Sequence, residues 1–206
     1  PACGLWTPAR PHRYGLEVTL LRGRETLDRV SSYFALREVA VGEDAAGHKR
    51  VCLNGEPVFQ MGTLDQGWWP DGLLTPPSEE AMLWDMVQLK RMGFNTIRKH
   101  IKVEPELYYY YADSLGLMIW QDMVSGFATS RNAREHVKAD WKEDWDAPQE
   151  HRRQWPGALF EMIDCLRFYP SGTTWVGFTA GWGQPNTVQI GDPVTASAQR
   201  RHLDRA

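Results

Sequence analysis

The chain has 206 residues, of which 42% are hydrophobic and 24% charged, with a formal net charge of -3. These are ordinary values for a globular protein, and they give no case for nucleic acid or an anionic membrane as partner. No apolar run approaches the ~20 residues of a membrane span, and the three cysteines (Cys3, Cys52 and Cys165) form no CxxC pair that would suggest zinc or a disulfide framework.

In chain order, residues 1 to about 43 read as β. "LEVTLL", a polar "RGRE" turn and "VSSYFALREVAV" carry the β-branched and aromatic content of strands. "KRVCLNGEPVFQMG" then joins two apolar runs around Asn54-Gly55, a hairpin signal. From there strand and helix alternate. "PVFQMG" reads as a first buried strand. "SEEAMLWDMVQLKRMG" is an amphipathic helix with Met82, Met86 and Leu89 on one stripe, Ser78 as N-cap and Gly93 as stop. "FNTIRKH" is the next strand, "EPELYYYYADSLG" a short helix closed by Gly116, and "LMIWQD" the third strand. "WPGALFEMIDCLRFYP" is a helix with Leu159, Ile163 and Leu166 on one face, and "TTWVGFTAG" is the fourth strand. Residues 124–154 form a long, polar, charged segment, either a lid over a site or, by default, a solvated insertion. The order predicts a parallel sheet with right-handed crossovers.

Polar residues gather where these strands end: Asp65 and Gln66, Arg98 and His100, Gln121 and Asp122, then Thr179. In parallel α/β folds that edge is where ligands bind. Arg98 and His100 alternate along a strand and share a face. They read either as donors to ligand oxygens or as partners of nearby carboxylates. Trp68-Trp69 in "LDQGWWPDG" is either a stacking platform for a sugar ring or two rings packed under a turn. Asp122 is a pocket acceptor or a helix-capping acid. GxSxG, HExxH and a Gly-rich phosphate loop are all absent.

Three stretches together, "LNGEPVFQMGTLDQGWWPDGLLTPPSEEAM", "GFNTIRKHIKVEPELYYYYADSLGLMIWQDM" and "WVGFTAGWGQ", resemble the β-galactosidase-like glycoside hydrolases of family 2. The resemblance runs in order through nearly the whole chain. It implies an α/β fold, a partial (β/α)8 TIM barrel of four strand units spanning residues 44–206. Residues 1–43 would be the last strands of an immunoglobulin-like β-sandwich. It implies retaining hydrolysis of β-glycosides, by two carboxylates ~5–5.5 Å apart. The family's acid/base is the Glu of an Asn-Glu pair at the end of the fourth strand, and here that pair is Thr179-Ala180. Loss of the general acid/base costs ~10²–10⁴-fold in rate. The nucleophile lies on the family's seventh strand, and no residue here maps onto it. A full barrel takes ~250 residues.

Residues matching the family's substrate pocket are Asp65, Trp69, Arg98, His100, Asp122 and Trp182. The expected function is thus a family 2-like glycosidase region, catalytically inactive over these 206 residues, with no cofactor and no metal. The alternatives are a non-catalytic carbohydrate-binding relative and a decayed gene remnant. The partner is carbohydrate, and the open edges of a half barrel allow a homodimer. A start at Pro1 rather than Met suggests a fragment or processed product.

Overall fold

The computed structural model describes residues 3–124 and 149–178. Its first strands, β1 (Tyr14–Arg22) and β2 (Glu25–Phe34), form an antiparallel hairpin. Gly23 at φ 67° makes the turn, and the Arg22 guanidinium meets the Glu25 carboxylate at 2.9 Å across it. One face of this hairpin, including Leu16, Val18, Leu20 and Val30, stays exposed.

Next come β3 (Val39–Glu43), β4 (Lys49–Leu53) and β5 (Glu56–Pro57), one three-stranded antiparallel sheet. Asn54 and Gly55 both have positive φ, 56° and 83°, the signature of a tight two-residue hairpin turn. The expected division between residues 43 and 44 falls within this sheet, in the connection between β3 and β4.

A four-stranded parallel sheet follows, in the order β6 (Gly62–Asp65), β7 (Thr96–Lys99), β8 (Met118–Asp122) and β9 (Gly172–Val176). Helices α1 (Glu79–Arg91), α2 (Glu106–Leu115) and α3 (Gln149–Leu166) lie between the strands in sequence. The chain is therefore a mixed α/β protein with a parallel sheet. "PVFQMG" is not its first strand. The Val58 amide still bonds to Val51 O in the hairpin, Phe59 is 85% exposed, and the parallel ladder starts only at Gly62. A Cβ on Gly62 would lie 3.0 Å from Thr96, so glycine is what lets β6 approach β7 here.

Helix α1 begins and ends where the capping residues require. The Ser78 hydroxyl accepts from the Ala81 amide at 3.1 Å, and Gly93 follows the last turn at φ 92°. Ser78→Ala should cost about 1 kcal/mol, read as a lowered urea midpoint at constant slope. Helix α3 begins six residues before the expected Trp155. Glu150 reaches Arg153 and Gln154 on the next turn, so helix forms ahead of Pro156, which sits inside it.

The main core lies between the sheet and these helices: Met82 and Met86 of α1, Ile97, Tyr109, Ile119, and Leu159 and Ile163 of α3. A smaller cluster of Trp6, Leu53 and Met118 closes the end of the sheet where the strands start. Several long-range bonds fasten the N-terminal strands to the α/β part. Trp6 Nε1 donates to Asp113 O at 2.9 Å, Tyr33 Oη to Asp113 Oδ2 at 2.6 Å, and the Arg37 guanidinium to Pro170 O at 2.8 Å.

Candidate functional site

The site is the edge of the parallel sheet where its strands end. Because side chains alternate along a strand, this edge presents two different surfaces. Leu64, Arg98, Trp120 and Thr174 are register partners on one face, and Asp65, Lys99, Gln121 and Trp175 on the other. Ile97, two residues before Lys99, belongs to the core, so the second face is the one covered by helices.

On the first face Arg98 and Asp122 form a bidentate pair. Arg98 Nε lies 3.0 Å from Asp122 Oδ1, and Nη2 3.1 Å from Oδ2. The Ile101 amide adds a 3.4 Å bond to Oδ2. Asp122 has no exposed side-chain surface, whereas Arg98 retains 34%. The carboxylate is fully committed to its neighbours, and the outer edge of the guanidinium is what solvent or a ligand can reach. His100 donates its amide to Asp65 O at 2.9 Å, extending the ladder by one residue. Its Nδ1 is buried without a hydrogen-bond partner among the described residues. Ile101, at φ 45°, is a β-branched residue in the left-handed region, a strained turn next to the imidazole.

On the helix face lies a cluster of four charges, three of them buried (Lys99, Lys102 and Glu104) and Asp65 part-exposed. Lys99 Nζ is 3.1 Å from Asp65 Oδ2 and in contact with Glu104 Oε1, and Lys102 Nζ is 2.8 Å from the same Glu104 oxygen. The Lys99 ammonium is held by charge rather than by an aligned hydrogen bond. Tyr108 Oη donates to Asp65 Oδ2 at 2.9 Å. Burial, and then the Asp65 charge, raise the Tyr108 phenol well above its ordinary pKa, so it stays a donor. Tyr109 Oη donates to Gln121 Oε1 at 2.7 Å and accepts from the Glu104 amide at 3.2 Å.

The residues singled out in the sequence therefore divide. Arg98 and Asp122 are joined on one face. Asp65 and Trp69 belong to the other, where they line a pocket of about 520 Å³ with Gly67, Trp68, Trp84, Asp85 and Tyr108. Burial, and then the nearby Asp65, raise the pKa of the Asp85 carboxyl. Thr179, Ala180 and Trp182 lie outside the described residues. Lys99 and Lys102 were not picked out by motif. The signal that would have found Lys99 is strand alternation, which puts it on the face of Ile97. Among the described residues no group of three His, Cys, Asp or Glu side chains is placed to hold a metal. No helix among them is long and apolar enough to cross a membrane.

No family model matches the chain. Curated relatives do, among them the following three. A Formosa agariphila protein bearing a beta-glucuronidase name is 28% identical over 83% of this chain and 15% of its own length. An exo-beta-D-glucosaminidase of Amycolatopsis orientalis is 28% identical over 81% and 16%. A mannosylglycoprotein endo-beta-mannosidase of Lilium longiflorum is 30% identical over 84% and 18%. The chain thus spans less than a fifth of the length of each. Among solved structures, beta-glucuronidase 3 of Bacteroides uniformis superposes with a TM-score of 0.70 at 22% identity, over 96% of this chain and 23% of that one. A GH2 beta-galacturonidase from Eisenbergiella tayi, solved with galacturonate, gives a TM-score of 0.63 at 21% identity, over 84% and 27%. These likenesses extend to the fold.

Proposed function

Since the chain is a glycoside hydrolase family 2-like region, we propose that it is the N-terminal half of a retaining β-glycosidase barrel, and that these 206 residues are inactive on their own. In this reading β6 to β9 are the first four strands of a (β/α)8 barrel. Residues 1–43 end an immunoglobulin-like sandwich, and residues 44–206 begin the barrel, with the β3–β4 hairpin as the join. The observation that carries the reading is the four-stranded parallel sheet in sequential order, with Arg98, His100 and Asp122 at its C-terminal edge. Ligands of parallel α/β folds bind at that edge.

Candidate sugar contacts are Asp65, Trp69, Arg98, His100, Asp122 and Trp182. The geometry supports different parts for them. The Arg98 guanidinium offers its outer edge to a hydroxyl or carboxylate, while Asp122 holds that guanidinium in place. Ala180 occupies the acid/base position and can neither give nor take a proton, and the nucleophile has no counterpart here. The relatives are named for a glucuronide, a glucosaminide and a mannoside, so the sugar is a β-glycoside of unspecified kind. The outer edges of β6 and β9 end the described sheet, and pairing through them in a homodimer is part of the proposal.

The test is release of nitrophenolate from p-nitrophenyl β-glucuronide, β-glucosaminide and β-mannoside. The expected result is no release above buffer at any pH between 4 and 8. Turnover proportional to protein and abolished by heat would overturn the inactivity.

A further inference from the structure

We propose that the buried Lys99–Glu104–Lys102 cluster is a positioning device that clamps Gly67 and so holds Trp68 and Trp69 as a preformed stacking face for a sugar ring. The stacking half of this inference rests on the glycosidase reading above. The clamp itself rests on geometry alone.

Gly67 is held from both sides of its peptide. Its amide donates to Asp65 Oδ1 at 2.8 Å, and its carbonyl accepts from Lys102 Nζ at 3.0 Å. It sits at φ 66°, where a side chain is strained. A Cβ there would run into Lys99 Nζ, come within 2.5 Å of Glu104 Oε1 and within 2.8 Å of Lys102 Nζ. Three charged groups thus converge on one glycine, and the two residues after it are the tryptophans. Beyond them the loop closes on itself. Trp69 N donates to Leu73 O at 2.7 Å, and Leu73 N to Trp69 O at 3.0 Å. Trp68 remains 63% exposed, its ring available to a flat partner.

The energetics favour a positioning role over a stabilising one. Lys99 has no exposed side-chain surface, Lys102 10% and Glu104 4%. Withdrawing two ammoniums and a carboxylate from water at this depth is costly, and apolar side chains of similar volume would hold the fold as well. What the ions add is direction, because an ammonium can grip one specific carbonyl. The aromatic residues they fix suit a ligand with an apolar C–H face rimmed by hydroxyls, which is a pyranose. A loop ordered beforehand loses less entropy on binding.

The experiment compares the 206-residue chain with Lys102→Met and Lys102→Arg by backbone hydrogen exchange. Lys102→Met removes the grip on Gly67 O but leaves Glu104 paired with Lys99, so the fold should survive. Exchange over residues 66–73 is expected to rise at least about tenfold, the loss of a charge-assisted bond. Protection of α1, β7 and β8 is expected to stay unchanged, and Lys102→Arg to restore the wild-type pattern. Unchanged exchange over 66–73, or a uniform rise through the molecule, overturns the clamp. A second arm follows tryptophan fluorescence during titration with methyl β-glucoside and methyl β-mannoside. A wild-type response weakened in Lys102→Met supports the stacking face. No response in the wild type, with the exchange result as expected, overturns the sugar-ring part and leaves the clamp standing.

Discussion

Replacing Arg98 with alanine is expected to lower the unfolding free energy by about 3–5 kcal/mol, the cost of leaving a buried charge without its partner. Asp122 has no exposed side-chain surface, and after the substitution only the Ile101 amide at 3.4 Å would remain on its carboxylate among the described residues. Because Arg98 itself is 34% exposed, water can enter the gap, which places the effect toward the lower end of that range. Arg98→Lys keeps the charge but loses the two-pronged contact, and should fall between wild type and alanine. Urea unfolding of the three proteins at pH 7 measures this. A loss below about 1 kcal/mol for Arg98→Ala would mean that the pair behaves like a surface ion pair, and that Asp122 does not depend on Arg98.

The second large effect is a fall in stability with rising pH through Asp113. This carboxylate lies buried between the N-terminal hairpin and the helices, where it accepts from Tyr33 Oη at 2.6 Å and from the Ser171 amide at 2.8 Å. Burial pushes its pKa up from 3.8 to about 6, opposed by the bonds from Ser171 and Tyr33 and by the charge of Arg13. The buried Arg37 guanidinium faces it as well, and Tyr169 lies close to it. A group whose folded pKa is raised stabilises the fold fully below its unfolded value. That contribution is lost as pH climbs through the folded one. The window is therefore pH 4 to 6, and the gap between 3.8 and about 6 corresponds to about 3 kcal/mol. Urea unfolding at pH 4, 5, 6 and 7 should show wild-type stability falling by this order relative to Asp113→Asn, whose curve lacks the step. Parallel curves for the two proteins would show that Asp113 does not carry the titration.

These two carboxylates illustrate what the sequence makes legible. Asp122 could be placed at a strand end from "LMIWQD", because a short apolar run bounded by polar residues reads as a buried strand, and β8 is Met118–Asp122. Its bond to Arg98 depends on a register of β7 against β8 that no local pattern specifies. Asp113 gave no signal at all, since one acid within "YYYYADSLG" looks like the solvated side of a helix. Its partners, Tyr33 and Ser171, are eighty and fifty-eight residues away in sequence. Helix α1 was legible to its ends because Ser78 and Gly93 act locally. "PVFQMG" was misread because three apolar residues in six resemble a strand, whereas Phe59 faces solvent and Gln60 spends its amide oxygen on Trp120 Nε1. Lys99 was not singled out, although strand alternation puts it on the face of Ile97. Its pairing with Asp65 exists only once β6 and β7 are in register, and its pairing with Glu104 only once the turn after β7 folds back. The reading of Thr179-Ala180 rests on the motif match alone, and both residues lie outside the described ones.

The most direct test of the account is a turnover measurement on the chain carrying both Thr179→Asn and Ala180→Glu. The substitutions restore the pair that the resemblance places at the acid/base position. If these 206 residues hold the acid/base half of a retaining site and no nucleophile, the double variant releases no nitrophenolate from β-glycosides above buffer, like the unaltered chain. Sustained turnover by the double variant, with retained configuration at the anomeric carbon, would place a working nucleophile within residues 1–206 and contradict the half-barrel account.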